Sequence, residues 1–154
     1  GLARMRRTVP DFAEKAGAKY LAMAEEGGKA AAHELLAILQ AVDRLRGEVS
    51  RFFDTWDAIM TPACAAQPWP AGESHPEAID GQPVGPRGHA VYTGWVNACG
   101  HPAVAVPCTP DSNGMPVGFQ LIADLGAEET LIDLAEAYEA AAGGWRRWPD
   151  AAFG

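Results

Sequence analysis

Residues 103–122 of the chain read AVAVPCTPDSNGMPVGFQLI, and this stretch decides the fold that the whole sequence predicts. It contains two apolar runs, at 103–106 and 117–122, joined by a connection that includes Pro110, Asn113 and Gly114. Short apolar runs bounded by such turn residues are typical of buried strands. The connection predicts that the second strand folds back antiparallel on the first.

Helical patterns flank this pair of strands. Residues 90–99 predict a short helix that ends at Gly100, because glycine readily adopts the left-handed backbone that closes a helix. The last helix is predicted from about residue 127 to Gly143-Gly144, with apolar residues at helical spacing.

The upstream part of the chain predicts two helices and a third strand. Thr8 is expected to cap a helix that has Pro10 in its first turn and ends at Gly27-Gly28. An apolar stripe over 35–52 predicts a longer helix with one face packed on the core. Residues 56–60 then predict a buried strand. This order of elements predicts an α/β fold, a mixed sheet covered by helices, in one domain over 1–154.

Residues 61–88 form a segment rich in proline and glycine. They contain six of the twelve prolines, so we expect no regular element to persist there. A loop of this length inside a compact domain usually serves as a binding loop or a lid. The alternative is a plain excursion over the surface.

Composition excludes several classes of protein. The chain has 154 residues and a net charge of −8, which argues against a protein that binds nucleic acid. It has no apolar run long enough for a membrane span. Three cysteines, Cys64, Cys99 and Cys108, show no disulfide framework, and only Cys99 with His101 has a spacing that suits zinc. We therefore expect a reducing, cytoplasmic setting with neither metal nor cofactor.

The sequence supplies no convincing catalytic residue. Of its three serines, none lies in a strained strand-to-helix turn that would expose an activated hydroxyl. Ser74 is followed by His75, but neighbours in an extended loop point to opposite sides, so we expect no hydrogen bond between them. The three lysines lie on or beside the first two predicted helices, where a solvated position is expected.

Three separated blocks nevertheless resemble a known family. They are DAIMTP at 57–62, NACGHPAVAVPC at 97–108 and GMPVGFQLI at 114–122, and the predicted helix over 128–140 supports them. In this order they are similar to the C-terminal part of amidase signature enzymes. The resemblance covers roughly residues 40–145 and implies the mixed α/β fold of that family.

The resemblance implies an amide hydrolase whose catalytic machinery lies elsewhere. Such enzymes use a serine nucleophile, a second serine and a lysine, and no segment of this chain matches the glycine- and serine-rich motif that carries them. The expected partners are therefore an upstream catalytic segment of the same enzyme and a small amide substrate, with a homo-oligomer also possible. The resemblance places Trp69, Tyr92, Trp95 and Asn97 at the substrate pocket; for the aromatic residues, core packing or loop anchoring is the alternative.

Two other functions stay open. In amidotransferase A subunits of this family an acidic residue precedes the asparagine block, whereas this chain has AVYT at 90–93. That difference favours a general amidase with a neutral or aromatic substrate. The remaining alternative is a non-catalytic module that reuses the fold to bind a ligand or another protein chain.

Overall fold

The structure is a computed structural model that describes residues 1–142. Contacts group the chain into two compact units, one over Gly1–Val42 and one that begins at Asp43. Each unit is described by itself. Among the described residues no helix is both long and apolar enough to cross a membrane.

The first unit contains three short helices, α1 (Leu2–Thr8), α2 (Phe12–Lys15) and α3 (Ala18–Lys29). The prediction of one continuous helix from the turn after Thr8 to Gly27 is wrong, because Ala16 and Gly17 adopt extended backbone between α2 and α3. The capping role expected for Thr8 is also wrong. Its hydroxyl donates to the carbonyl of Arg4 at the end of α1.

The long helix α4 (Ala32–Phe52) confirms the helix predicted over 35–52. Its apolar stripe does not form a buried face along its whole length, however. Leu35, Ile38 and Leu39 are 55%, 60% and 57% exposed. The periodicity therefore predicted the helix correctly but not the burial of its first half.

A three-stranded antiparallel sheet organises the second unit. It consists of β1 (Ile59–Pro62), β4 (Ala103–Cys108) and β5 (Val117–Ile122), with β5 in the centre. Ile122 pairs with Ile59 on one side and with Ala103 on the other. The hairpin that residues 103–122 predicted is confirmed, and so is the α/β class.

The strand predicted over 56–60 starts later than expected. Hydrogen-bonded turns continue α4 through Thr55, whose N–H donates to the carbonyl of Phe52. Trp56 is consequently 58% exposed and stacks on the ring of Phe52, with the ring centroids 6.2 Å apart. Ladder pairing begins only at Ile59.

Helix α6 (Glu128–Ala142) covers one face of the sheet. Leu121, Ala123 and Leu131 form the centre of this contact, and Phe119 packs edge-on against Tyr138 with centroids 4.9 Å apart. The predicted final helix is thus confirmed. Its expected end at 143–144 lies outside the described residues.

Helix α5 (Val91–Cys99) follows a short 3-10 turn at Gly88–Ala90. It ends as predicted at Gly100, which has a φ of 76° and donates its N–H to the carbonyl of Val96. The side chain of Gln120, on β5, donates to the carbonyl of Tyr92 at 2.7 Å. This bond ties the first turn of α5 to the central strand.

The proline-rich segment contains a small hairpin that the sequence analysis did not predict. Strands β2 (Ala78–Ile79) and β3 (Gln82–Pro83) pair antiparallel across Asp80 and Gly81, which have φ values of 50° and 70°. Two successive positive φ values are typical of the type I′ turn, and Asp-Gly is its usual sequence. The expectation of no regular element was wrong at this point.

Candidate functional site

A cleft of about 1130 Å³ opens in the second unit, between one end of the sheet and the segment 61–88. Its floor comes from β1, β4 and β5, and its side comes from residues 64–80 and Tyr92. The lining is predominantly apolar, with Met60, Pro62, Cys64, Trp69, Ile79, Cys108, Val117 and Phe119 among its members. A large, mostly apolar cleft of this kind is typical of a small-molecule site.

Close backbone contacts shape the floor of the cleft. A Cβ atom added at Gly118 would lie 2.9 Å from the carbonyl oxygen of Val106, so this position on β5 has room for glycine alone. The carbonyl of Gly118 accepts the N–H of Ala63, and the carbonyl of His89 accepts the N–H of Ala65. These two bonds hold the start of the proline-rich segment against the sheet and the turn before α5.

Trp69 and Tyr92, two of the four predicted pocket residues, line this cleft. The indole N–H of Trp69 donates to the carbonyl of Glu73 at 3.1 Å, and its ring packs on His89 with centroids 5.1 Å apart. Because Trp69 is held on two sides, it presents a fixed aromatic wall. Tyr92 is held through its backbone by Gln120.

Trp95 and Asn97, the other two predicted residues, are not among the residues that line the cleft. Both lie on α5, where Trp95 is half-buried and Asn97 is exposed. The structure therefore brings Trp69 and Tyr92 together and leaves the other two outside. A substrate role for Trp95 and Asn97 stays a prediction.

The ionisable carboxylates of the cleft are Glu73, Glu77 and Asp80, and among the described residues no lysine, arginine or histidine lines it. Serine is also missing from the lining, so over residues 1–142 the cleft contains no serine nucleophile with an adjacent histidine or lysine. In the same part of the chain no three histidine, cysteine or acidic side chains are placed to hold a metal.

The hydroxyl of Ser74 does contact its neighbour, contrary to the sequence analysis. Its Oγ lies 2.8 Å from Nδ1 of His75. The prediction was wrong because residues 73–75 form bends and are not extended, so the alternation of side chains does not apply. Neither residue lines the cleft.

A second polar cluster joins α4 to the far end of the sheet. Nε2 of the fully buried His101 side chain lies 3.3 Å from Oγ of Ser50 and 3.5 Å from Oδ1 of Asp124. The Ser50 hydroxyl donates to Asp124 at 2.8 Å. Since Ser50 gives its one proton to Asp124, it can only accept a hydrogen bond from His101. This is the reverse of a serine nucleophile activated by histidine, and the cluster acts as a structural tie.

Two pKa shifts accompany these contacts. The backbone N–H of Leu125 and the Ser50 hydroxyl hold the pKa of Asp124 below its ordinary value. Burial raises the pKa of the Cys99 thiol, while the positive charge of Arg46 acts in the opposite direction. Arg46 also donates to the carbonyl of Cys99 at 2.7 Å. Cys99 is thus a small buried side chain that packs like a hydrophobic residue.

Comparison with known proteins decides the family. The family model named Amidase matches residues 3–132. The chain belongs to the amidase family. The three sequence blocks that resembled amidase signature enzymes contain β1, β4 and β5, so the family motifs build the whole central sheet of this amidase domain.

Individual relatives support the same family. A Mycobacterium leprae protein assigned by name as an amidase, AmiC, is 35% identical over 105 residues, which are 67% of this chain and 22% of that protein. The glutamyl-tRNA(Gln) amidotransferase A subunit of Xanthobacter autotrophicus is 37% identical over 105 residues, 65% of this chain and 20% of that protein. The chain therefore spans about a fifth of the length of these curated relatives.

A solved structure shares the fold of this amidase chain. The structure of 6-aminohexanoate cyclic dimer hydrolase complexed with substrate superposes with a TM-score of 0.80 at 23% identity. The match covers 97% of this chain and 34% of that hydrolase. At this identity the likeness establishes the architecture alone.

Sequence reasoning missed two features of the second unit. The Asp80-Gly81 pair carried a recognisable hairpin signal, since this dipeptide favours the turn that the structure shows. The cluster of Ser50, His101 and Asp124 carried none, because its members lie 51 and 74 residues apart in the chain. Contacts over such separations depend on the whole fold.

Proposed function

We propose that this amidase-family chain is the C-terminal part of an enzyme that hydrolyses carboxylic amides. In that reaction water adds to the carbonyl carbon, the C–N bond breaks, and a carboxylic acid and an amine are released. The observation that carries the proposal is the cleft. The strands that build its floor lie within the three sequence blocks that resemble the amidase family. The second unit of the chain then supplies the floor and one wall of the substrate site.

The catalytic serines and lysine belong, in this proposal, to an upstream segment of the same polypeptide. The relatives are about five times as long as the stretch that this chain matches, and over the described residues no serine, histidine or lysine lines the cleft. In that same part of the chain, β1 and β4 each have one edge that pairs with no other strand. These edges give the upstream segment a place to add strands.

The substrate residues in this proposal are Trp69 and Tyr92 in the cleft, with Trp95 and Asn97 retained from the family resemblance. An aromatic and apolar lining supports a neutral or aromatic amide. We also propose a cytoplasmic setting, which the three unpaired cysteines support.

The second candidate is a segment of an amidotransferase A subunit. The identity of 37% to such a protein favours it, and the absence of an acidic residue at 90–93 argues against it. A test for ammonia transfer from glutamine separates the two, since the amidase reaction does not need an acceptor tRNA. A non-catalytic binding module remains the alternative if no amide is hydrolysed.

The experiment is an amide hydrolysis assay with the chain alone, with the chain and its upstream segment, and with the segment alone. We expect release of the amine only when both parts are present. Hydrolysis by the purified chain alone would contradict the proposal, because one of its own residues would then have to act as the nucleophile.

A further inference from the structure

His89 supports the wall of the cleft from outside it. It lies in the 3-10 turn Gly88–Ala90 and is not among the residues that line the cleft. Its ring packs on the indole of Trp69, with the centroids 5.1 Å apart and an angle of 50° between the planes. Its carbonyl accepts the N–H of Ala65 at 3.0 Å. Trp69 and Ala65 both line the cleft, so one residue outside the lining contacts two residues within it.

The turn that carries His89 is itself closely packed. A Cβ atom added at Gly88 would lie 2.6 Å from Cβ of Val84, so the turn approaches the residue after β3 more closely than a side chain at position 88 would allow. The N–H of Val84 donates in turn to the carbonyl of Glu77, which lines the cleft. The backbone that carries the His89 ring is therefore held in place.

The ring of His89 contributes through its face and not through its nitrogen Nδ1. This atom is buried and has no hydrogen-bond partner among residues 1–142. A buried polar atom without a partner destabilises a fold, so Nδ1 gives this side chain no anchor. The face of the ring does have a partner, the indole of Trp69. The imidazole is thus a flat plate behind the indole.

Two contacts together fix the plane of Trp69. The bond from the indole N–H to the carbonyl of Glu73 fixes its edge, and His89 packs on the ring. The half-buried indole presents the rest of its surface to the cleft. A flat aromatic group binds better to a ring whose plane is already fixed, because less side-chain freedom is lost on binding.

We propose that His89 is a positioning residue that fixes the plane of Trp69 and thereby gives the cleft a preference for amides that carry a flat aromatic group. This inference rests on the proposed amidase function and names a residue that determines its specificity. His89 acts through Trp69 and does not itself contact the substrate. The role requires an aromatic ring at position 89 and does not require the imidazole nitrogens.

The test uses the complete enzyme, with phenylacetamide and acetamide as substrates and release of ammonia as the readout. Acetamide has no group that stacks on Trp69. We expect His89→Ala to raise KM for phenylacetamide with little change in kcat, so that the kcat/KM ratio of phenylacetamide to acetamide falls by roughly threefold to tenfold. His89→Phe restores an aromatic ring and should keep the wild-type ratio. His33→Ala, the same replacement at an exposed position of α4, is the control and should also keep it.

A double-mutant cycle shows whether His89 acts through Trp69. Trp69→Ala removes the indole, so adding His89→Ala to it should not lower the ratio any further. The ratio compares two substrates with the same protein, so a variant that is only partly folded loses both rates equally and keeps its ratio. If His89→Ala does not fold, His89→Leu, which fills the space without an aromatic ring, replaces it in both experiments.

Three results would overturn the inference. The first is a His89→Ala enzyme that keeps the wild-type ratio, the second is a His89→Phe enzyme that loses it to the same extent as His89→Ala, and the third is a double variant in which the two effects add. If the wild type hydrolyses neither amide, the proposed function fails by itself, and calorimetric titration with phenylacetamide decides the role of His89. Weaker binding by His89→Ala with wild-type binding by His89→Phe supports it. Equal binding by all three proteins, or no binding by the wild type, refutes it.

Discussion

At the scale of single residues, Gln120 links the fold to the cleft. It is 4% exposed, and its amide donates to the hydroxyl of Thr61 at 2.9 Å and to the carbonyl of Tyr92 at 2.7 Å. Both partners line the cleft. One buried side chain therefore sets the distance between the edge strand β1 and the start of α5.

Replacing this residue tests that role. Gln120→Met keeps the size of the side chain but removes the hydrogen bonds to Thr61 and to the carbonyl of Tyr92, which we expect to cost about 1–3 kcal/mol of unfolding free energy. Urea unfolding measures the change. Gln40→Met, the same replacement at an exposed position of α4, should stay within about 0.5 kcal/mol of the wild type. If both variants change the unfolding free energy equally, the buried hydrogen bonds of Gln120 make no specific contribution to stability.

The conformation of a single residue could be predicted where its neighbours in the sequence determine it. Gly100 ends α5 as expected, because a glycine after an apolar helical run needs no distant partner to adopt its φ of 76°. Trp69 and Tyr92 were placed in the pocket by family resemblance, and the structure puts both in the cleft. The partners of His101 could not be predicted, since burial and distant contacts position them.

At the scale of elements, Asp124 connects α4 to the end of β5, and the connection depends on pH. The pKa of Asp124 is lower in the folded chain than in the unfolded chain, so its carboxylate adds stability above the ordinary pKa of about 3.9. That contribution is lost as the pH falls through the lower, folded-state pKa. The helix is thus held more weakly in acid.

Asp124→Asn should remove this contribution. We expect the variant to be less stable than the wild type at pH 6, and the difference should shrink as the pH is lowered below about 4. Thermal unfolding over pH 3–7 measures it. Asp133→Asn, at an exposed position on α6, controls for the loss of a charge and should change stability by less than about 0.5 kcal/mol at pH 6. If the difference in stability between Asp124→Asn and the wild type does not change with pH, the proposed contribution of the Asp124 carboxylate is contradicted.

The proline-rich segment is the element whose rate of amide hydrogen exchange should differ most from that of the sheet. Outside β1 and the β2–β3 pair it forms few backbone hydrogen bonds, and most of its residues are exposed. We expect its amides at 66–75 to exchange with solvent much faster than those of β5, and limited proteolysis to cut there first. Hydrogen exchange followed by mass spectrometry provides the measurement, and equal protection of the two segments would refute the expectation.

Periodicity and turn signals predicted elements better than they predicted burial. The strands of residues 103–122 and the helices α4, α5 and α6 were all recognised, because each has a regular pattern with a clear stop. The break between α2 and α3 was missed, since Gly17 is tolerated within a helix as well as before one. The first half of α4 is exposed although its apolar residues are regularly spaced. An amphipathic pattern therefore predicts the helix but not the burial of its apolar face.

At the scale of the whole molecule, both units of the chain expose large apolar side chains. Leu35, Ile38 and Leu39 in the first unit and Trp56 and Met60 in the second are 55–69% exposed. Together with the open edges of the sheet, these surfaces favour association with other chains.

We therefore expect the purified chain to self-associate and to bind a hydrophobic dye. Sedimentation velocity over a range of concentrations and dye fluorescence measure the two effects. Adding the proposed upstream segment should lower both. A monomer that does not bind the dye at any concentration would show that these apolar surfaces need no partner.

The exposure of Met60 also gives the cleft a chemical reporter of its own. This thioether is 69% exposed and lies on the floor of the cleft, whereas Met115 is 46% exposed and lies outside it. Mild peroxide converts accessible methionine to its sulfoxide, and the added oxygen is read by mass spectrometry. Whatever fills the cleft, a substrate or another part of the enzyme, should slow oxidation at Met60 relative to Met115. The occupancy of the site can thus be followed without a label and without turnover.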